Sequence, residues 1–485
     1  MISISLLGLV VGSVLSTVNA ACTPNTTSVA DLQGLLQDGG QGYTLSLCAG
    51  QIYSIDKILN YTAVEQEIST EGYPTDEARA TLLISGFNMT TAVQATDANL
   101  DRVKLRNIQI DGNRGSSDIY EHPGANIEFG GENTGQLIEY VRSYDPRGWS
   151  CMHISEGPFR CSGVTIQNND LGPCGSEKFQ QWADGISLSC QNSLVQNNYI
   201  VDATDGGIVI FGSPNSTIRN NTIHVETRTL LGGINMVDPV PWEPEGNFSH
   251  VVVEENRIIG GYATGLGNDT LGTNNASAII KIGIGIGPRV WFSDNRYGTN
   301  QTTGAIVQNN LFSGAFAFAI GLASAKNFLL QNNTFFGNVS FIGSYGPNCT
   351  DGALTPHPPI ALLYEQSTLT NVTIQPGTVP DDIAKEHPDT TAFQNGVANG
   401  LTCFMPPSAN TFAWPYGGGG VNSGTGASGT SGEKPSGTSG GGSSSSSSSP
   451  ATSHGAAADR SRISTGAALG GLVLLAAMGF GMATV

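Results

Sequence analysis

Residues 182–223 read WADGISLSCQNSLVQNNYIVDATDGGIVIFGSPNSTIRNNTI, and one short pattern occurs in them twice. The first copy is Asp184-Gly185-Ile186-Ser187-Leu188 followed by Leu194-Val195-Gln196-Asn197-Asn198-Tyr199-Ile200. The second is Asp205-Gly206-Gly207-Ile208-Val209-Ile210 followed by Ser216-Thr217-Ile218-Arg219-Asn220-Asn221-Thr222-Ile223. Each is a short β-branched run, a turn, another short run and an Asn pair. Asn197 and Asn220 lie 23 residues apart, the length of one supersecondary unit repeated along an axis. Three short strands cannot bury their own apolar face, so each unit must stack on the next.

The same punctuation recurs in Val164-Thr165-Ile166-Gln167-Asn168-Asn169, Val252-Val253-Glu254-Glu255-Asn256, Ile306-Val307-Gln308-Asn309-Asn310 and Leu329-Leu330-Gln331-Asn332-Asn333. Apolar residues alternate or run together over four to six positions; the three-and-four spacing of a helix is missing. Asn tolerates the left-handed backbone, and its amide can bond the amide of the neighbouring coil. Asn168, Asn197, Asn220, Asn309 and Asn332 are therefore expected in one column at one corner, as a structural device. The pattern resembles that of the right-handed parallel β-helix proteins, the pectin-lyase-like group, over roughly residues 60–400. That resemblance implies an all-β, single-stranded right-handed parallel β-helix. It also implies a partner among acidic or neutral polysaccharides.

Four regions are expected. Residues 1–20 are apolar and end in Val18-Asn19-Ala20, which fits a secretory signal and its cleavage site. Residues 21–405 form the β-helix with its caps. Residues 406–457 are a Gly/Ser-rich disordered stalk that includes seven consecutive serines, 443–449. Residues 458–485 are an apolar tail behind a short polar spacer, the pattern of a glycolipid-anchor signal with attachment at Gly455; a transmembrane tail is the alternative. The expected location is the cell surface, with a lipid anchor in the outer leaflet of the plasma membrane or a link to the wall. Thirteen Asn-x-Ser/Thr sequons agree with that route. Glycans are expected at Asn25, Asn60, Asn88, Asn247, Asn268, Asn300 and Asn371, whereas Asn220 and Asn332 are expected to be buried in the corner. A net charge of −18 with only 12% charged residues argues against nucleic acid. The protein is expected to be a monomer.

Eight cysteines suit an oxidising compartment. Aligning Ile166 with Val195 places Cys161 and Cys190 at equivalent positions on neighbouring coils. Coils about 4.8 Å apart lie within disulfide reach. Cys161–Cys190 is the first choice, leaving Cys151–Cys174, Cys22–Cys48 and Cys349–Cys403. Cys151–Cys161 with Cys174–Cys190 is the alternative.

Candidate chemistry gathers on three coils, around Arg147 to His153, Trp182 to Ile186 and Thr204 to Ile208. Asp184 and Asp205 are read as sharing a register, which would bring two carboxylates together and raise the pKa of one. Such a pair serves general acid and base work in glycoside chemistry. Trp149 and Trp182 offer flat faces for sugar stacking, and Arg147, Arg228 and His153 complete the candidate substrate-binding set. Over these coils the chain is similar to the alginate C5-epimerase β-helix, marked by Tyr-x-x-Asp-Pro-His, Asp-Gly-Phe and His-Gly-Phe. Here Tyr144-Asp145-Pro146-Arg147, Asp184-Gly185-Ile186 and Gly206-Gly207-Ile208 occupy those places, with Arg147 and Gly206 where that family has histidine. No metal cluster is expected and no cofactor is assigned. For a lyase, resemblance to the pectate lyases implies Ca²⁺, with Asp184, Asp205 and Arg228 matching their Asp ligands and Arg base. The function read from the sequence is a glycosidase, lyase or epimerase; the competing class is a non-catalytic carbohydrate-binding, structural or adhesion protein of the wall.

Overall fold

A computed structural model describes residues 22–116, 124–155, 160–176, 181–236, 247–261, 279–288, 290, 300–341, 361–374 and 421–422. The expected signal segment, most of the expected stalk and the apolar tail fall outside the described residues, as do Cys349, Cys403, Asn268 and Gly455. Within them the chain is a right-handed parallel β-helix. Its strands form three ladders of parallel pairs, and in the first coils every third strand joins the same ladder. One ladder makes an 11-stranded sheet; the other two are joined in a 20-stranded sheet by the 12-residue strand Leu311–Leu322.

Register explains why these residues make these strands. Ile138, Ile166, Val195, Ile218 and Val253 pair in succession and are all buried, so one apolar position is filled coil after coil. A second column runs Ile200–Ile223–Ile258–Phe312. Each such side chain stabilises by about 1.5–3 kcal/mol when fully buried, and stacking is the only way these coils achieve that.

The Asn pairs divide their labour. The first member takes a left-handed backbone, with φ of 56° at Asn168, 57° at Asn197, 51° at Asn220, 55° at Asn309 and 56° at Asn332. The second member forms the ladder: Asn169, Asn198, Asn221, Asn256, Asn310 and Asn333 are buried and bond one to the next. The expected column is present, but the amide ladder belongs chiefly to the residue after it. Asn220 and Asn332 are exposed, which corrects the expectation of burial: the left-handed residue turns its side chain out while its successor turns in. Of the other expected glycan sites, Asn25, Asn88 and Asn371 are exposed and Asn60, Asn247 and Asn300 half-buried.

An eleven-residue helix, Val29–Gly39, closes the N-terminal end and packs Val29, Leu32 and Leu36 onto the first coils. Ser28 Oγ caps its start by accepting the Asp31 N–H. Buried Gln66 donates to the carbonyls of Leu36 and Gly40 at its end. Disulfides join Cys22 to Cys48, Cys151 to Cys174 and Cys161 to Cys190. Val421–Asn422, inside the stretch expected to be stalk, pairs antiparallel with Asn338 and Val339.

Candidate active site

The strands Ser150–Ser155, Asp184–Leu188, Gly206–Ile210, Leu230–Met236 and Ile280–Ile286 lie side by side. Met152, Ile154, Ile186, Leu188, Ile208 and Ile234 belong to the interior. By strand alternation, His153, Ser187, Val209, Asn235 and Gly285 then form one column on the other face, each paired with the next. Glu128 precedes His153 in that column and stands opposite it.

Six side chains meet there. His153 Nδ1 lies 2.6 Å from Glu128 Oε2, and the Trp149 ring stands edge-on to the imidazole with centroids 4.7 Å apart. Ser187 Oγ donates to Asp184 Oδ2 at 2.7 Å and lies 3.0 Å from Ser150 Oγ. Asp184 Oδ1 accepts the Gly206 N–H at 2.8 Å. Asp184 is only 1% exposed. Burial lifts its carboxyl to about 7, against the opposing pull of the Ser187 hydroxyl, the Gly206 amide and the His153 charge.

The register corrects the carboxylate pair. Ile186 pairs with Ile208, so Asp184 stands opposite Gly206 and Asp205 falls one residue earlier, where its N–H donates to the Ala183 carbonyl. The second coil carries Gly206-Gly207 where the first has Gly185 alone, and that extra residue moves Asp205 out of line. The raised pKa of Asp184 comes first from burial. Asp205 is itself buried, 6% exposed. Gly206–Gly232–Ile282 is one register column, so the position before it holds Asp205, Leu231 and Lys281. The fully buried Lys281 thus shares a column with Asp205, two coils away, about 9–10 Å between backbones.

Arg147 and Arg228 lie outside the Asp184 cluster as their contacts describe it. The Arg147 guanidinium is buried and donates to the carbonyls of Ile84 and Gly86, both at 2.8 Å, so it clasps neighbouring coils. Arg228 donates to the Gly175 carbonyl at 2.6 Å and faces Asp145, whose carboxyl burial raises and Arg228 lowers. Trp182 is nearly buried, whereas Trp149 is half-exposed beside His153. Glu128, Ser150, Ser187 and Asn235 were missed from the sequence. Glu128 could have been found by counting back 25 residues, one coil, from His153. Among the described residues, no group of three or more His, Cys, Asp or Glu is arranged to hold a metal ion.

Residues 158–281 match the family model described as a right handed beta helix region. No curated protein matches the chain. Among solved structures it is similar to the A-module of the mannuronan C-5 epimerase AlgE6 of Azotobacter vinelandii, at 13% identity and a TM-score of 0.42, covering 73% of this chain and 96% of that one. It is also similar to an alginate lyase from a Paenibacillus species, at 12% identity and 0.38, covering 73% and 92%. A third is the Streptococcus pneumoniae surface protein and adhesin PfbA, at 12% and 0.42, covering 73% and 97%.

Proposed function

We propose that this β-helix protein cleaves a cell-wall or plant polysaccharide by hydrolysis, with the Asp184 carboxyl as the proton donor. The observation that carries the reading is the state of that carboxyl. Buried and raised to about 7, it holds a proton at mildly acidic pH, where an ordinary carboxylate has lost one. Protonating a leaving glycosidic oxygen requires an acid of that strength. Asp205 is the second carboxylate of the proposal, acting through water or directly on the sugar, and His153 on Glu128 is a second proton-handling group beside it. A linear polymer lying along the axis would meet successive coils about 4.8 Å apart. An elimination or epimerisation would need a cation against the substrate's own carboxylate, and the Arg147 fork is committed to carbonyls, as is one N–H of Arg228. Hydrolysis is the class these donors favour.

The test is to incubate the purified protein with a panel of wall glycans, following reducing ends and the absorbance of unsaturated products. Reducing ends should appear with wild type and fall by a factor of 100 or more with Asp184→Asn, as loss of a general acid does. Unsaturated products, or no turnover of any glycan, would sink the reading.

A second reading is a non-catalytic carbohydrate-binding or adhesion rod. It is favoured by one fact: both Asp184 oxygens already accept hydrogen bonds within the protein. It requires glycan retention without turnover, unchanged by Asp184→Asn. Either role places the protein outside the cell, through cleavage after Ala20 and lipid attachment at Gly455. Phospholipase C should then release it from intact cells, and an intact C-terminal peptide in mass spectrometry would count against the anchor.

A further inference from the structure

Asn235 differs from every asparagine of the ladder. It is fully buried, yet neither its Oδ1 nor its Nδ2 has a hydrogen-bond partner among the described residues. Asn198, Asn221, Asn256 and Asn310 each donate to a backbone carbonyl and to the next amide, and each accepts from the one before. A buried amide left unmet costs free energy that an apolar residue of the same size would not.

The amide also has a defined place. Its Oδ1 and Nδ2 come within 2.0 and 2.7 Å of where a Cβ on Gly232 would stand. Its Nδ2 lies 2.9 Å from the corresponding point on Gly206, and Asp184 Oδ1 lies 3.0 Å from that same point. The carboxamide therefore lies over two side-chain-free positions and reaches towards the Asp184 carboxyl. The next two positions of its column are Gly285 and Gly321, again without side chains.

We infer that the Asn235 carboxamide is a ligand-binding group of the Asp184 site, taking the adjacent hydroxyls of a neutral sugar unit through one donated and one accepted hydrogen bond. The inference rests on reading that site as a glycan site. Asparagine offers an acceptor and two donors on one planar group, which matches a vicinal diol. The charges nearest the column favour an uncharged ligand. Glu128, Asp184 and Asp205 supply carboxyl groups, against which stand His153, held by Glu128, and Lys281 in the Asp205 column. Bringing a uronate carboxylate into this buried setting would add a fourth carboxyl group to the three already there.

The experiment uses Asn235→Leu, in the wild-type background and in Asp184→Asn, with thermal unfolding and isothermal titration. The probes are mannotetraose, cellotetraose and xylotetraose as neutral sugars, and tetragalacturonate as the acidic one. Without ligand, Asn235→Leu should unfold at a higher temperature than wild type. At least one neutral tetraose should bind Asp184→Asn, and Asn235→Leu should weaken that binding at least tenfold. Should the leucine variant fail to fold, Asn235→Ala, which adds no bulk, carries the binding arm. The inference is overturned if no neutral probe binds, if binding survives at Asn235→Leu and Asn235→Ala, or if only tetragalacturonate binds. A lower unfolding temperature for a folded Asn235→Leu would also overturn it, since the amide would then have a structural partner. If a neutral tetraose binds through Asn235 but no glycan is cleaved, hydrolysis fails and the binding site stands.

Discussion

Asn221 Oδ1 accepts two hydrogen bonds from Asn198, the backbone N–H at 3.0 Å and the side-chain Nδ2–H at 2.9 Å. One atom thus satisfies two buried donors from the coil before it, and Asn256 Oδ1 does the same for the backbone N–H and side-chain Nδ2–H of Asn221. Replacing Asn221 by Ala strands both Asn198 donors. Asn221→Ala should lose about 2–4 kcal/mol, the range for leaving buried polar groups unmet. Urea unfolding checks this; a loss under about 1 kcal/mol would mean that water replaces the ladder.

The outer Asn column has foreign members, Tyr140, with φ of 54° opposite Asn168, and Glu255. Glu255 adopts φ of 57° at the place equivalent to Asn220 and Asn309, and it is exposed. Asn visits this backbone region more readily than Glu. Glu255→Asn should raise stability by about 0.5–1 kcal/mol, and Glu255→Val should lower it. Opposite signs in urea midpoints would show that the corner makes no demand on backbone angle.

Two buried titrating groups act against each other. Asp184 is raised from 3.8 to about 7 by burial. Its stabilising effect is complete below about pH 4 and is lost as pH rises to about 7. His224, with Nδ1 2.9 Å from the Tyr199 hydroxyl, is lowered by burial from 6.5 to about 4. Its effect is complete above about pH 6.5 and is lost as pH falls to about 4. Between pH 4 and 6.5 the two slopes oppose. The stability gap between Asp184→Asn and wild type should move in favour of the variant as pH rises, and that between His224→Gln and wild type should move in favour of the variant as pH falls. Denaturation from pH 4 to 8 measures both; parallel profiles would refute the assigned states.

Much of this architecture is legible in the chain because its causes are local and repeated. The 23-residue interval between Asn197 and Asn220 follows directly from pairing of Val195 with Ile218. The site was less legible. A single added glycine, Gly206 beside Gly207, decides whether Asp184 faces a carboxylate or a backbone amide, and motif matching at Asp-Gly hides that step. Arg147 looks like a free cation in sequence, yet its partners, Ile84 and Gly86, are about 60 residues away. Asn235 gives no signal at all, since it has no Asn beside it and stands between Ile234 and Met236 in an apolar run.

Cys161 and Cys190 sit one coil apart and are joined, closing a loop of 29 residues. A loop of that length corresponds to about 3–4 kcal/mol of denatured-state entropy. Replacing both by Ser should lower the unfolding temperature by several degrees in oxidising buffer. An unchanged temperature would mean that strand pairing alone fixes these coils.

The placing of one ladder asparagine on each coil has an evolutionary consequence. An in-frame loss of residues 199–221 would join Asn198 to Thr222, leaving Asn198 to bond Asn256 and Val195 to lie against Val253. The shortened chain would keep its corner, its interior column and its left-handed residue in step. An in-frame duplication of the same 23 residues would do the same in the other direction. Unequal recombination between copies can therefore change the reach of this molecule by about 4.8 Å at a time, with no intermediate in which the corner is broken.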